Sequence, residues 1–424
     1  MVGNQLRRAV SKFGGSSVAD SAGIARVAAL ANTTGIRREH LVVSAPGKRD
    51  ADDIKVTDML LDAHTAAQEK SREGYDVLME RIARRFSQLS PRGDIPALTA
   101  ALDTLAAEVY DDAASRPSST AAFAASRGEY LNGLVVAHAT GFEFIDPADD
   151  FIIFTESREL DLANSLAAIR RRCAGSGSFV IPGFFGGVTG VASPAMVATF
   201  SRGGSDVTAS VVAAALAEDE PGLDPHNIVH ENFTDVDGVL SADPRVCPGA
   251  TRIPKLSYQQ TRTLALAGAA VLHPDAVTPL LPRAVPLHVR STWEPHGDGT
   301  WISEAPARLE LLGVQESDES LSRSVALSVA GRATPGEAEL GRYAPDAPQV
   351  TVTCKDVGDD ATRGERAMRA LRARVESALD SKGIARLSPA FSPPRSSAQS
   401  VHLSIANREQ LNDAVAAVFD SIHN

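Results

Sequence analysis

Cysteine is scarce in this chain: three in 424 residues, Cys173, Cys247 and Cys354, far apart and odd in number. That excludes a disulfide scaffold, leaves no metal-ligand spacing, and suits a reducing compartment. Long apolar runs are missing as well. No stretch approaches the roughly 18 residues a membrane-spanning helix requires, and the N-terminus has no apolar signal core, so a cytoplasmic protein with no membrane partner is expected. Positive charge is in deficit, with 42 Lys and Arg against 53 Asp and Glu and a net charge of −11. This argues against a nucleic-acid partner gripped through its phosphates. The hydrophobic share of 43% is ordinary for a globular protein, and the length predicts two or three domains with a sizeable core.

What the chain does have is a pair of Gly-Gly turns, each entered from a strand and left into a helix. In the first, Ala9–Phe13 reads as a buried strand, Gly14-Gly15-Ser16-Ser17 as the turn and Ile24–Leu30 as the helix. Paired glycines let backbone approach a ligand closely, and a helix start offers unpaired N–H groups to anionic oxygens. Lys12 adds a full positive charge at the strand's end, where a transferring phosphoryl group needs one. It precedes the glycines, so this is not a Walker A loop. On its own the stretch reads equally well as a strand-turn-helix corner with a solvated lysine. The second turn is Ser201-Arg202-Gly203-Gly204-Ser205-Asp206, opening a helix over Val207–Leu216. The planar fork of Arg202 suits a carboxylate. Asp206 either orients Lys12, polarises an acceptor, or is a first-turn acid favoured by the helix dipole.

Between and after these turns, strands alternate with helices. Leu41–Val43 runs as a strand into Ser44-Ala45-Pro46-Gly47-Lys48, and ligand groups in α/β sheets gather at such strand ends. Thr57 reads either as the N-cap of the next helix or as a hydroxyl facing a ligand. Residues 58–138 are helical in pattern: Val77, Leu78, Ile82, Phe86 and Leu89 form one face, and Leu98, Leu102, Leu105 and Val109 another. From its position alone, Glu129 reads as an exposed helix glutamate. Phe151–Phe154, Ser178–Pro182, Ile228–Phe233 and Val285–Val289 are predicted strands, and Leu160–Arg172 is a predicted helix with a basic C-terminal end. Asp235-Val236-Asp237-Gly238 reads as a turn, since no glutamate completes a calcium-type loop. Alternation over some 300 residues predicts one large α/β domain with a mostly parallel sheet.

Six segments, in order Lys12–Ser17, Val43–Lys48 with Lys55–Asp58, Arg127–Tyr130, Ile181–Gly186, Phe200–Ser210 and Asn232–Arg245, resemble the aspartate kinases of the amino acid kinase superfamily. The wording is nearest a monofunctional branch with a long helical insert. The resemblance implies ATP-dependent phosphorylation of the aspartate side-chain carboxylate, with magnesium held mainly by the nucleotide phosphates. It implies roles by position. Lys12 would span the phosphates and the incoming carboxylate, with Asp206 holding it. Gly14, Gly15, Ser16, Gly203 and Gly204 would cradle phosphate. Ser44, Thr57, Phe184 and Ser205 would line the amino acid pocket, Glu129 would take the ammonium group and Arg202 the α-carboxylate. Thr234, Asp235, Leu240 and Arg245 would meet the nucleotide. Two positions depart from the family wording: Ala270 stands where a lysine is common, and Leu240 where an aromatic residue is. With a reduced C-terminal region they motivate one alternative, a non-catalytic amino-acid-binding paralogue; a second alternative keeps the chemistry but takes an aspartate derivative as acceptor.

After a polar linker at 303–309, strand patterns at Leu311–Val314, Val325–Val329, Val350–Cys354 and Val401–Ile405 accompany two helices, one through Met368, Leu371, Val375 and Leu379 and one through Leu411, Val415, Val418 and Ile422. The order resembles one complete ACT module preceded by a reduced one. It implies catalysis over 1–305, a regulatory and dimerising region over 310–424, and at least a homodimer.

Overall fold

A computed structural model describes residues 7–115, 121–175, 177–189, 197–200, 203–217, 228–245, 247–266, 272–303, 326–332, 349–354, 373, 375–384, 386–387, 400–405 and 410–423. Arg202, Ala270, the 304–309 part of the linker, Leu311–Val314 and Met368 to Leu371 lie outside them. The chain divides into two compact units, Met1–Val236 with Thr278–Gly297, and Asp237–Val277 with Asp298–Asn424.

In the first unit the strands are β1 (Arg7–Phe13), β2 (Ile36–Val43), β3 (Glu143–Phe144), β4 (Ile153–Phe154), β5 (Phe179–Pro182), β6 (Phe185–Val188), β7 (Val197–Thr199), β8 (Ile228–Thr234) and, after the excursion of the chain into the other unit, β10 (Leu287–Ser291). Six of them form a parallel sheet in the order β3-β5-β2-β1-β8-β10. A smaller sheet, β4-β6-β7, pairs β4 parallel and β7 antiparallel to β6. Parallel sheets are covered on both faces, so their strands read as continuous apolar runs. Leu41, Val42 and Val43 in β2, and Val180 and Ile181 in β5, are accordingly inaccessible to solvent.

β8 breaks that rule. His230, Glu231 and Asn232 are all buried in mid-sheet, which is costly unless each is satisfied. Register explains the arrangement: Ser11 lies opposite Glu231 and Lys12 opposite Asn232, so alternation sends the two polar pairs to opposite faces. On one face Glu231 accepts from Ser11 Oγ at 2.7 Å, from Arg38 Nε at 2.6 Å and from Arg290 at 2.7 Å. Although burial pushes the Glu231 carboxyl up, these partners win and hold it at about 2. A carboxyl depressed from 4.5 contributes stability that is complete above that value and lost as pH falls through about 2. Glu231→Gln leaves the guanidiniums without their anion and is expected to cost about 3–5 kcal/mol, read by urea unfolding at neutral pH. The cost should shrink in acid; a variant as stable as wild type would overturn this account.

The helices are α1 (Ser21–Ala31), α2 (Val56–Gln68), α3 (Arg72–Ser87), α4 (Pro96–Ser115), α5 (Ala122–Thr140), α6 (Leu162–Cys173) and α7 (Gly204–Leu216). Asp20 caps α1 by accepting from Gly23 N at 2.7 Å, and Ile24, Val27 and Leu30 form its buried face. α2 begins at Val56 after the extended Lys55, which places Thr57 inside the first turn rather than at the cap. In α3 the buried face is Tyr75, Met79, Ile82 and Phe86, whereas Val77 is 54% exposed and does not share it. Tyr75 fastens α3 to α4 by donating from its hydroxyl to Ala106 O at 2.6 Å. Phe151 and Ile152 are buried as expected but belong to a turn, with Ile152 N bonded to Pro147 O at 2.9 Å, so β4 is only two residues long. The last strand of this unit starts two residues later than expected, after Pro286, whose carbonyl accepts from His230 N.

The second unit holds a parallel pair, β9 (Lys255–Leu256) and β11 (Thr300–Ile302), and α8 (Tyr258–Leu266). It also holds an antiparallel sheet of β12 (Ala326–Arg332), β13 (Gln349–Cys354), β14 (Arg386–Leu387) and β15 (Ser400–Ile405) in the order β12-β13-β15-β14. Residues 375–381 are helical with Val375 and Leu379 buried. α9 (Leu411–His423) buries Ala414, Val415 and Val418 and lies against β12. Among the described residues no helix is long and apolar enough to cross a membrane.

Candidate active site

The C-terminal ends of β1, β2, β5 and β8 converge with the start of α7 in the first unit. At the end of β1, Lys12 is buried and its Nζ stands 2.7 Å from Asp206 Oδ1. Asn232 Nδ2, opposite Lys12 across the β1–β8 ladder, donates to the same oxygen at 3.3 Å. Asp206 also occupies the first turn of α7, its N–H donating to Gly203 O at 2.9 Å. Thus Asp206 both faces the lysine and suits the helix dipole. Behind it Ser210 Oγ and His230 Nδ1 lie 3.3 Å apart; burial holds the imidazole down at about 4, neutral at physiological pH.

The first glycine turn is tied to its surroundings through its backbone and through Ser17, whose Oγ lies 2.6 Å from Thr292 Oγ1. Gly14 N donates to Phe233 O at 3.1 Å and Gly47 N to Gly15 O at 2.9 Å. A Cβ on Gly15 would stand 2.9 Å from Ala45 O, and one on Gly14 would stand 3.3 Å from Lys12 Nζ. The lysine head therefore lies over Gly14, and the backbone around Gly15 leaves no room for a side chain there. Instead of entering α1 directly, the turn winds through a short 3-10 segment, Gly15–Val18. Arg85 of α3, buried, donates to both Ala19 O at 2.6 Å and Gly47 O at 3.0 Å. One guanidinium so clamps the two loops that follow β1 and β2.

The second glycine turn is equally tight. Gly203 caps α7 at φ +79°, in the left-handed region where glycine is favoured. Phe184 also sits at φ +79°, which for a bulky residue stores strain of about 1–3 kcal/mol. Its N–H donates to Thr208 Oγ1 at 3.1 Å, and its carbonyl accepts from Phe200 N at 2.8 Å. Gly204 and Gly183 fit under this turn: a Cβ on Gly204 would meet the Phe184 ring at 2.9 Å, and one on Gly183 would overlap Ser205. Ser205, buried, is thereby fixed beside the Phe184 turn.

α5 brings the acid. Glu129 is 6% exposed, not the solvated glutamate its position suggested. Burial raises its carboxyl from 4.5 to about 8, against a donated hydrogen bond from Ala45 N–H, and its Oε2 has no partner. A buried carboxyl with one oxygen unanswered is poised for a cationic group. Asn132, one turn on, donates to Ser44 O at 2.7 Å, and its own Oδ1 is unanswered. Gly128 lets α5 approach Ala45 and the Thr57 hydroxyl, so Ser44, Thr57 and Glu129 share one region. Sequence reasoning missed Asn132; its spacing of three from Glu129 was the available signal.

Thr234, half-buried, donates from its hydroxyl to the exposed Asp235 at 3.0 Å, at the end of β8. Leu240 and Arg245 belong to the other unit, Leu240 in a bridge with Arg252 and Arg245 paired with Asp243 at 2.7 Å. Arg202 is outside the described residues. Among the described residues no three His, Cys, Asp or Glu side chains converge as a metal cage.

Residues 7–291 match the model of the amino acid kinase family. The chain is 30% identical over 303 residues to aspartokinase 3 of Bacillus subtilis, covering 69% of this chain and 63% of that protein. It is 40% identical over 134 residues to an aspartokinase of Geobacillus stearothermophilus, covering 32% of this chain and 30% of that one. The matches span less than two thirds of these relatives. Among solved structures, Clostridium acetobutylicum aspartate kinase superposes with a TM-score of 0.71 at 24% identity, covering 98% of this chain and 100% of that one. Escherichia coli aspartokinase III in complex with aspartate and ADP superposes at 0.70 and 17% identity, with the same coverage. At these identities the likeness shows the fold.

Proposed function

Since the chain belongs to the amino acid kinase family, we propose that it transfers the γ-phosphoryl group of ATP to the side-chain carboxylate of L-aspartate. The observation that carries the reading is the buried Lys12–Asp206 pair standing over the Gly14–Gly15 turn, with the unsatisfied Glu129 carboxyl on the adjoining helix. In this reaction an oxygen of the aspartate β-carboxylate bonds to the γ-phosphorus, the bond to the β-phosphate oxygen breaks, and ADP leaves. The acceptor is already ionised at neutral pH, so no general base is needed. What the step needs is positive charge and N–H donors at the phosphoryl oxygens. Lys12 supplies the charge, and Asp206, itself held by Asn232, fixes its head. The turn at Gly14, Gly15 and Ser16 cradles phosphate with the Gly15 and Ser16 N–H groups as donors, as does the start of α7 at Gly203 and Gly204. Glu129 takes the substrate ammonium, with Ser44, Thr57, Phe184 and Ser205 around it; Arg202 takes the α-carboxylate. Thr234 and Asp235, at the end of β8, serve the nucleotide. Magnesium, which neutralises phosphate charge when bound, fits this chain as part of the nucleotide complex rather than in a protein cage.

Residues 1–305 form the catalytic segment in this reading and 310–424 an ACT-like regulatory one, supported by the four-stranded antiparallel sheet with its helices. A homodimer formed through that sheet is part of the proposal. The test is aspartyl hydroxamate formation with purified protein, ATP, magnesium and hydroxylamine. Aspartate-dependent product is expected. Turnover only with an aspartate derivative would move the acceptor. Aspartate binding without any turnover would leave the amino-acid-binding paralogue.

A further inference from the structure

On the other side of α5 from Glu129 is a cavity of about 940 Å³ walled by α4, α5 and the β4–β6–β7 sheet. Positions 127 and 129 differ by about 200° around the helix axis, so the two side chains leave α5 on opposing faces. Neither Ser44, Thr57, Glu129 nor Phe184 lines this cavity.

Arg127 does line it, and it is only 8% exposed. Its guanidinium is stacked among Tyr130 at 4.5 Å, Phe123 at 4.6 Å and Phe185 at 5.0 Å, and its Nε donates to Ser126 Oγ at 3.2 Å. Among the described residues no carboxylate lies within ion-pair distance, and the terminal nitrogens have no acceptor. Ring faces offset part of the desolvation of a cation, but they leave the planar fork of donors unanswered. That fork matches a carboxylate. The other charged residues among the described lining have the opposite sign: Glu108, Asp146, Asp149 and Asp150. Asp146 accepts from Ala148 N at 2.9 Å through one oxygen, and burial raises its carboxyl above the ordinary range. Ala97, Ala101, Leu105, Leu131 and Val188 supply apolar wall between the charges.

We propose that this cavity binds an α-amino acid of net positive charge, its carboxylate on Arg127 and its ammonium groups on Glu108, Asp146 and Asp149. A simple carboxylate satisfies Arg127 but faces an excess of acids. A polyamine satisfies the acids but adds a like charge beside a buried cation. A diamino acid answers both. The binding does not rest on the function proposed above.

The experiment is calorimetric titration of the full chain with L-ornithine and L-arginine, with putrescine and glutarate as probes that each lack one handle. The diamino acids are expected to bind at least about tenfold more tightly than either probe. Glu108→Gln and Asp149→Asn, both on the exposed rim, should each weaken binding about tenfold. Arg127→Met should abolish it, and saturating L-aspartate should not displace the ligand. No heat from either diamino acid, displacement by aspartate, or unchanged affinity in the rim variants overturns the proposal. Those rim variants decide the matter if Arg127→Met does not fold. Absence of hydroxamate would remove the kinase reading and leave this titration unaffected.

Discussion

Lys12→Met is expected to lower aspartyl hydroxamate formation by at least about 10³-fold, the scale seen when a fixed charge on a transferring phosphoryl group is lost. The Lys12 and Asp206 side chains are 11% and 10% exposed, so removing the lysine alone also leaves a buried carboxylate uncompensated. That is expected to destabilise the fold by about 3–5 kcal/mol. The two effects separate in the double variant Lys12→Met, Asp206→Asn. With both charges gone, much of the stability should return in urea unfolding while activity stays absent. A double variant as unstable as the single one would mean that the pair is structural first. A single variant retaining more than about a tenth of the activity would sink the role of Lys12.

The second large effect is a dependence on pH. In the free protein the Glu129 carboxyl is raised to about 8 because it is buried. Between its ordinary value of 4.5 and that value the folded state holds a proton the unfolded state has released. Glu129 therefore lowers stability as pH rises across that window. An ammonium group needs the ionised form, so below about pH 8 aspartate must displace the proton. The kcat/KM for aspartate should rise about tenfold per pH unit up to that point and then level. Calorimetry in buffers of different ionisation enthalpy should record proton release on aspartate binding. Glu129→Gln should flatten the profile and raise KM by about 10–100-fold, the worth of a hydrogen bond to a charged group. A wild-type profile flat across the neutral range would contradict this.

Local chemistry made the two glycine turns readable, because a strand, paired glycines and a helix start are each written in adjacent residues. The side-by-side placement of Lys12 and Asp206 was one of three readings that the residues left open, and only the resemblance implied it. Glu129 was not readable in the same way. Whether a helical glutamate is solvated depends on what packs over it, and Ala45 comes from a loop more than eighty positions away. The cap reading of Thr57, two residues from the observed Lys55, and the face misassigned to Val77 are errors of phase, which periodicity alone cannot prevent. Phe151 and Ile152 illustrate another ambiguity, since an apolar pair buried in a turn reads the same as one in a strand. The Arg38–Glu231–Arg290 cluster was invisible because its members come from three strands.

Arg85 gives α3 a meaning beyond its packing. The same guanidinium holds the carbonyls of Ala19 and Gly47, so the loops after two neighbouring strands are braced by a helix that the sheet itself does not need. The helix and the loop geometry are then linked. A chimera that exchanges residues 58–138 with those of a relative would have to bring an arginine to the same spot, or accept two loops set by a different rule.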